Sequence, residues 1–94
     1  MPNFELAHVR EQGVDLIVIP LDDQFGRKVQ SDQQSIIQEL QVRARSAGLG
    51  GTVVPVWDNG GGRMAFIAPR NWHSFFQSIS FDWVAMNINR TLSW

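Results

Sequence analysis

Seven residues in two polar segments carry the side chains best suited to hold a ligand. Asp22, Asp23, Phe25, Arg27 and Lys28 lie in the decapeptide LDDQFGRKVQ, and Asp58 and Asn59 open the run Asp58-Asn59-Gly60-Gly61-Gly62. Three carboxylates brought to one point, with carbonyl and Asn59 oxygens, would suit a hard divalent cation such as magnesium or calcium. The spacing of a calcium loop, Asp-x-Asx-x-Asx-Gly, is absent. Asp22 and Asp58 also serve as turn initiators that accept backbone N–H groups, so no metal and no cofactor is assigned. Gly26-Arg27-Lys28 precede a helix start, where a small anionic ligand could rest on helix amides and two cations. The phosphate-loop pattern is missing, however, and Asp32 would compete for the same amides. Phe25 either anchors this loop over the helix or lines a shallow pocket. Three successive glycines exceed what a tight turn needs, which suits a flap over a ligand or a loose hairpin tip.

Nothing comparable points to a reaction. His8 and His73 are the only histidines. Ser74 follows His73 directly, and adjacent residues of a helix do not face each other. Asp23 with His8 would make a general acid–base pair on paper, with no spacing that favours it. The chain has no cysteine, which excludes disulfides, thiolate nucleophiles and cysteine-ligated zinc or iron–sulfur groups. No catalytic residue is assigned.

The bulk numbers bound the partners. Ninety-four residues make one domain, 1–94. A hydrophobic fraction of 44 % is that of a globular fold, while only 18 % of residues are charged and the formal net charge is -1. So weak a field argues against nucleic-acid and anionic-membrane partners and leaves little repulsion between copies. The longest apolar run, Leu16 to Leu21, contains Pro20 and is too short to span a bilayer. MPNFELAHVR has no basic-then-apolar signal pattern, and a cytoplasmic location is the default expectation.

The elements that must position these residues follow from periodicity. Residues 15–20 read as a central strand, because consecutive aliphatics from Leu16 to Ile19 suit burial on both faces. Pro20, lacking an N–H, should end its ladder. The clearest helix is 31–47. Ser31 is its expected cap, with Gln34 at the capping-box position, and Ile36, Ile37, Leu40, Ala44 and Ala47 make its apolar stripe. Gly48 should stop it, with Leu49 folding back. Residues 52–57 form a strand that Pro55 assigns to an edge or a bulge. Residues 58–62 are a hairpin turn and 63–68 its return strand. A short helix over 71–79 presents Trp72, Phe75, Phe76 and Ile79 on one side. Residues 81–88, FDWVAMNI, alternate and read as a last strand, with Val84, Met86 and Ile88 turned inward. Residues 4–9 alternate weakly and supply either an extra N-terminal strand, hairpinned through Glu11-Gln12-Gly13, or a leader into 15–20.

The order strand, helix, strand, strand, helix, strand is the split βαβ arrangement. It predicts an α+β two-layer sandwich, ferredoxin-like (βαββαβ), with an N-terminal strand as an optional addition. The expected sheet order is 81–88, 15–20, 63–68, 52–57 with antiparallel neighbours. Strands 15–20 and 52–57 would then end on one rim, and loops 22–30 and 58–62 would adjoin. Helices would cover one face and leave the other to Phe81 and Trp83, with the tail to Trp94 beside it. An apolar patch of that kind usually meets a partner, most simply a second copy across a two-fold axis. The expected function is a small non-catalytic binding or assembly module that self-associates through this open sheet face as a homo-oligomer. The alternative is a small enzyme, or a small-ligand or anion-binding protein, with its site where loops 22–30 and 58–62 meet.

Overall fold

The computed structural model describes residues 3–93. Two strands, β1 (Asn3–Glu11) and β2 (Val14–Pro20), open the fold. Gln12 at φ 51° and Gly13 at φ 77° join them, the paired positive φ of a two-residue hairpin turn whose twist matches its strands. A short helix α1 (Asp23–Arg27) and a long helix α2 (Gln30–Ser46) lead to β3 (Thr52–Asp58) and β4 (Met64–Phe66). A 3-10 turn, Arg70–Trp72, then runs into α3 (His73–Ser78), followed by α4 (Phe81–Asn87) and β5 (Arg90–Ser93). The strands form one five-stranded sheet in the order β4-β3-β2-β1-β5. Only β2 and β3 are parallel. A mixed sheet with interspersed helices is consistent with an α+β fold of the general ferredoxin-like type.

Strand β2 is central, as its uniform hydrophobicity requires: Leu16 to Ile19 are fully buried. Alternation sends these residues to two separate cores. Ile17 and Ile19, with Leu6, Val53 and Leu92, pack under Leu40 and Ala44 of α2. On the opposite face Leu16 and Val18, with Ala7, Val54 and Val56, pack against Trp72, Phe76 and Val84. Helices therefore cover both faces of the sheet, and no face of it is left bare for a second copy.

Three expectations change here. First, residues 81–87 are a helix, not a strand. Phe81, Val84 and Ile88 fit the i, i+3, i+7 pattern of a helix, just as Val84, Met86 and Ile88 fit an alternation. Burial follows the helix: Val84 is 1 % exposed and Met86, turned inward by the strand reading, is 85 % exposed. Phe81 and Trp83 accordingly pack on the second core, Trp83 edge-on to Phe75 at 5.6 Å. Trp94 lies outside the described residues. Second, 64–66 does not insert between 15–20 and 52–57. Leu16 pairs directly with Thr52 and Ile19 with Pro55. Third, β3 is interior despite Pro55. Strand β4 pairs only with Val56, Trp57 and Asp58, and Ile67 N–H donates to Pro55 O. The ladder on that side ends where the proline has no donor to give, so only its acceptor is used.

Helix α2 starts one residue before Ser31, with Val29 as N-cap and no side-chain cap; Ser31 instead accepts at its carbonyl from Ser35 Oγ at 3.0 Å. Its C-terminus closes as a Schellman motif. Leu49 N–H donates to Ala44 O at 2.9 Å, Gly48 N–H donates to Arg45 O at 3.0 Å, Gly48 takes φ 82°, and Leu49 packs on the α2 core. Gln41 then ties the helix to β3: its Nε2 donates to Gly51 O at 2.9 Å, and its Oε1 accepts from Val53 N–H at 3.0 Å. Among the described residues, no helix is long and apolar enough to cross a membrane.

Candidate functional site at the rim of the parallel strands

Parallel strands β2 and β3 end side by side, and their connections leave toward opposite faces, β2 into α1 and α2, β3 by way of β4 into α3 and α4. In open sheets the crevice at the carboxyl ends of such a strand pair is where ligands tend to sit. The segment Leu21 to Lys28 lies across this rim. Leu21 N–H donates to Val56 O at 2.7 Å, which carries the ladder one residue past Pro20.

The expected polar loop is largely the helix α1, and α1 decides what each of its side chains can do. Phe25 is 3 % exposed and meets Trp57 of β3 edge-on, with ring centroids 5.0 Å apart. Gly26 makes that approach possible. A Cβ there would lie against Trp57 Nε1 and 2.8 Å from Cδ1, closer than side-chain carbons ever come. Trp57 is itself 7 % exposed, and its Nε1 is buried with no hydrogen-bond partner among the described residues. Gln33 Nε2 donates to Phe25 O at 3.0 Å and fixes α1 to α2. Phe25 is thus an anchor, and it is also one wall of a cleft.

Helix geometry pairs Asp23 with Arg27, four residues on, at 3.4 Å on the exposed side of α1. An exposed pair of this sort contributes little, about 0.3–0.5 kcal/mol, yet it occupies Arg27 and turns it from any anion at Lys28. Asp22 is the N-cap of α1 and makes no side-chain cap bond. Lys28 is its C-cap and has no ion pair among the described residues.

Two clefts flank the segment and share Leu21 and Asp22. One, of about 360 Å³, opens between α1, the middle of α2 and the start of β1. Phe4, Leu21, Phe25, Ile36 and Leu40 form its walls, while Asp22, Lys28 and Glu39 also line it. The other, about 430 Å³, is an open acidic depression where Asp22, Asp23, Asp58 and Gly60 adjoin Phe81. The two loops therefore do meet, as the parallel register of β2 and β3 dictates. They do not make a cation site: among the described residues no three of His, Cys, Asp and Glu are grouped to hold a metal. Asp58 is engaged as a turn initiator, its Oδ1 accepting from Gly60 N–H at 2.8 Å. Asn59 is exposed in the same hairpin, its N–H bonded to Arg63 O at 2.8 Å, and lines neither cleft. Glycines 60, 61 and 62 all take positive φ, so the run is needed by the turn itself.

Sequence reasoning missed Phe4, Leu21, Ile36, Glu39 and Leu40 as cleft residues. A signal existed for most of them. Leu21 is the lone aliphatic at the head of a polar segment, and Ile36, Glu39 and Leu40 share one face of α2 at i, i+3, i+4. The histidines lie apart from both clefts. His8 Nε2 is 2.9 Å from Gly50 O, and His73 Nε2 is 3.0 Å from Ala68 O. Among the described residues no ligands are grouped for a metal, and the chain has no cysteine. No family model, no curated protein and no solved structure matches this chain.

Proposed function

We propose that this domain works by binding a small ligand at the rim of β2 and β3, in the apolar cleft under α1, rather than by covalent chemistry. The observation that carries this reading is the cleft itself. Its volume of about 360 Å³ falls in the ~300–1,000 Å³ range of small-molecule sites, which are mostly apolar with a few polar groups at defined points. It sits at the strand ends where the fold's topology favours a ligand. Thermal-shift screening with small amphiphiles tests it. The reading requires saturable stabilisation by at least one probe, abolished when Ile36→Trp fills the cleft from its exposed side. A screen without a hit, or equal stabilisation of the filled variant, would overturn it.

Self-association is the second reading, moved from a sheet face to a sheet edge. Strand β4 is the outer strand on its side, and Met64, Ala65 and Phe66 are each half-buried. An edge that is apolar and uncovered is a template for pairing with another chain, and the low net charge of the chain, -1, opposes it little. Light scattering across a concentration series checks this, with Met64→Pro as the variant that should leave only monomer, since alternation along β4 turns the Met64 N–H away from β3. Unchanged oligomeric mass in that variant would rule out the edge.

A further inference from the structure

We infer that the ligand of the apolar cleft is a compact zwitterion, an α-amino acid with an aliphatic or aromatic side chain. The inference rests on the binding reading above and adds the ligand's chemical class. The cleft separates two kinds of surface. Its walls, Phe4, Leu21, Phe25, Ile36 and Leu40, are apolar and offer no hydrogen-bonding side chain. Its charged groups are one ammonium, Lys28, and two carboxylates, Asp22 and Glu39. None of these three side chains makes a hydrogen bond or ion pair among the described residues; the salt bridge of this region joins Asp23 to Arg27 instead.

Charge complementarity then selects the head group. A simple anion would gain Lys28 but face two carboxylates. A simple cation would gain the carboxylates but face the Lys28 ammonium. A head group carrying both signs meets all three with attraction. Asp22 and Lys28 cap opposite ends of α1, roughly 9 Å apart along its axis at ~1.5 Å per residue. That span leaves room for an α-ammonium near Asp22 and an α-carboxylate near Lys28, whose long stem reaches back along the helix, and Glu39 lines the same cleft as a second partner for the ammonium. The side chain of the ligand would enter between Phe25, Ile36 and Leu40, where a branched aliphatic or a single ring finds apolar contact. The same walls would reject a polar side chain, which would lose its water without a partner.

Four probes of one shape separate the possibilities by isothermal titration calorimetry on the whole chain: phenylalanine, 2-phenylethylamine, 3-phenylpropanoate and the neutral 2-phenylethanol. The expected result is tightest binding of phenylalanine. The amine and the acid should each be about two- to fivefold weaker, the scale on which gaining or losing one exposed ion pair changes affinity. Lys28→Ala should erase the advantage of phenylalanine over the amine, and Glu39→Gln combined with Asp22→Asn its advantage over the acid. All three residues are exposed, so the variants keep the fold, which unliganded melting curves verify. Equal binding of all four probes, or tightest binding of the acid, the amine or the alcohol, overturns the zwitterion while leaving the cleft as a site. The acid arm also stands for the C-terminal residue of a peptide, which lacks the free ammonium. If none of the four binds, and Ile36 and Leu40 methyl resonances do not move with any of them, both the ligand class and the cleft reading fall.

Discussion

The contact between Gly26 and Trp57 makes a sharp test of how α1 is seated. Gly26→Ala is ordinarily a favourable change inside a helix, worth about 0.5–1 kcal/mol. Gly26 also has no left-handed φ to preserve. Space decides the matter otherwise. The new Cβ would meet Trp57 Nε1, lie 2.8 Å from Cδ1 and 3.1 Å from Cε2, and all three atoms belong to one rigid ring. That ring is 7 % exposed and held by Phe25 at 5.0 Å, so it cannot swing aside as a flexible side chain would. The strain falls on α1, which must lift off β3, and overpacking of this kind costs about 1–3 kcal/mol. After the helix gain is subtracted, a net loss of about 1–2 kcal/mol remains, or about 5–15 °C in Tm for a domain of this size. The assay is urea denaturation of a double-mutant cycle with Trp57→Val. Valine suits a strand and carries no ring atom where Cδ1, Nε1 and Cε2 lie, so the alanine should cost little in that background and a coupling of about 1 kcal/mol or more should appear. Trp57→Val alone should destabilise less than its lost area implies, because it also removes a buried N–H that has no partner among the described residues. A neutral or stabilising Gly26→Ala, or the same loss in both backgrounds, would refute the steric account.

The other predictions concern hydrogen bonds that substitute for regular structure. Gln41→Met should cost about 1–3 kcal/mol, since Val53 N–H, on a residue 4 % exposed, loses its acceptor; Gln41→Glu keeps that acceptor and should recover part of the loss in denaturant midpoints. Asn89→Ala removes a side chain that pairs with His8 as a strand would, accepting from His8 N–H at 2.9 Å and donating to His8 O at 3.0 Å. The His8 amide should then exchange with solvent faster, with a loss of about 1 kcal/mol, and an unchanged exchange rate would show that the pairing is not protective.

Much of the architecture was legible wherever local pattern and tertiary setting agree. The aliphatic run Leu16 to Ile19 announced a strand buried on both faces, and Gly48-Leu49 announced the helix stop that the Schellman bonds complete. Pro55 misled because a missing donor was read as a missing neighbour. A proline is equally satisfied next to a partner strand too short to need its N–H, and β4 is that short. The segment 81–88 misled because its eight residues offer Val84, Met86 and Ile88 to a period of two and Phe81, Val84 and Ile88 to a period of 3.6. Only the packing of Phe81 on the second core, with Met86 left exposed, chooses between them, and that is a long-range fact absent from the segment.

The one misread segment moves the functional surface. Had 81–88 been a strand, its aromatics would have lined a bare sheet face and invited a second copy. As α4 they help roof the second core, and apolar surface that was free for a partner becomes interior. The shared direction of β2 and β3 survives that change, because it depends on α2 alone as the crossover between them, although the two pair directly instead of flanking a third strand. So the rim where Asp22, Phe25 and Lys28 emerge keeps its place whatever covers the far face. Composition could pick out those residues but not their division of labour. It takes the helical phase of α1 to spend Arg27 on Asp23, bury Phe25 against Trp57, and leave Asp22 and Lys28 lining the same cleft, which is why binding chemistry at this rim follows from the turn of a five-residue helix rather than from the charge count of the loop.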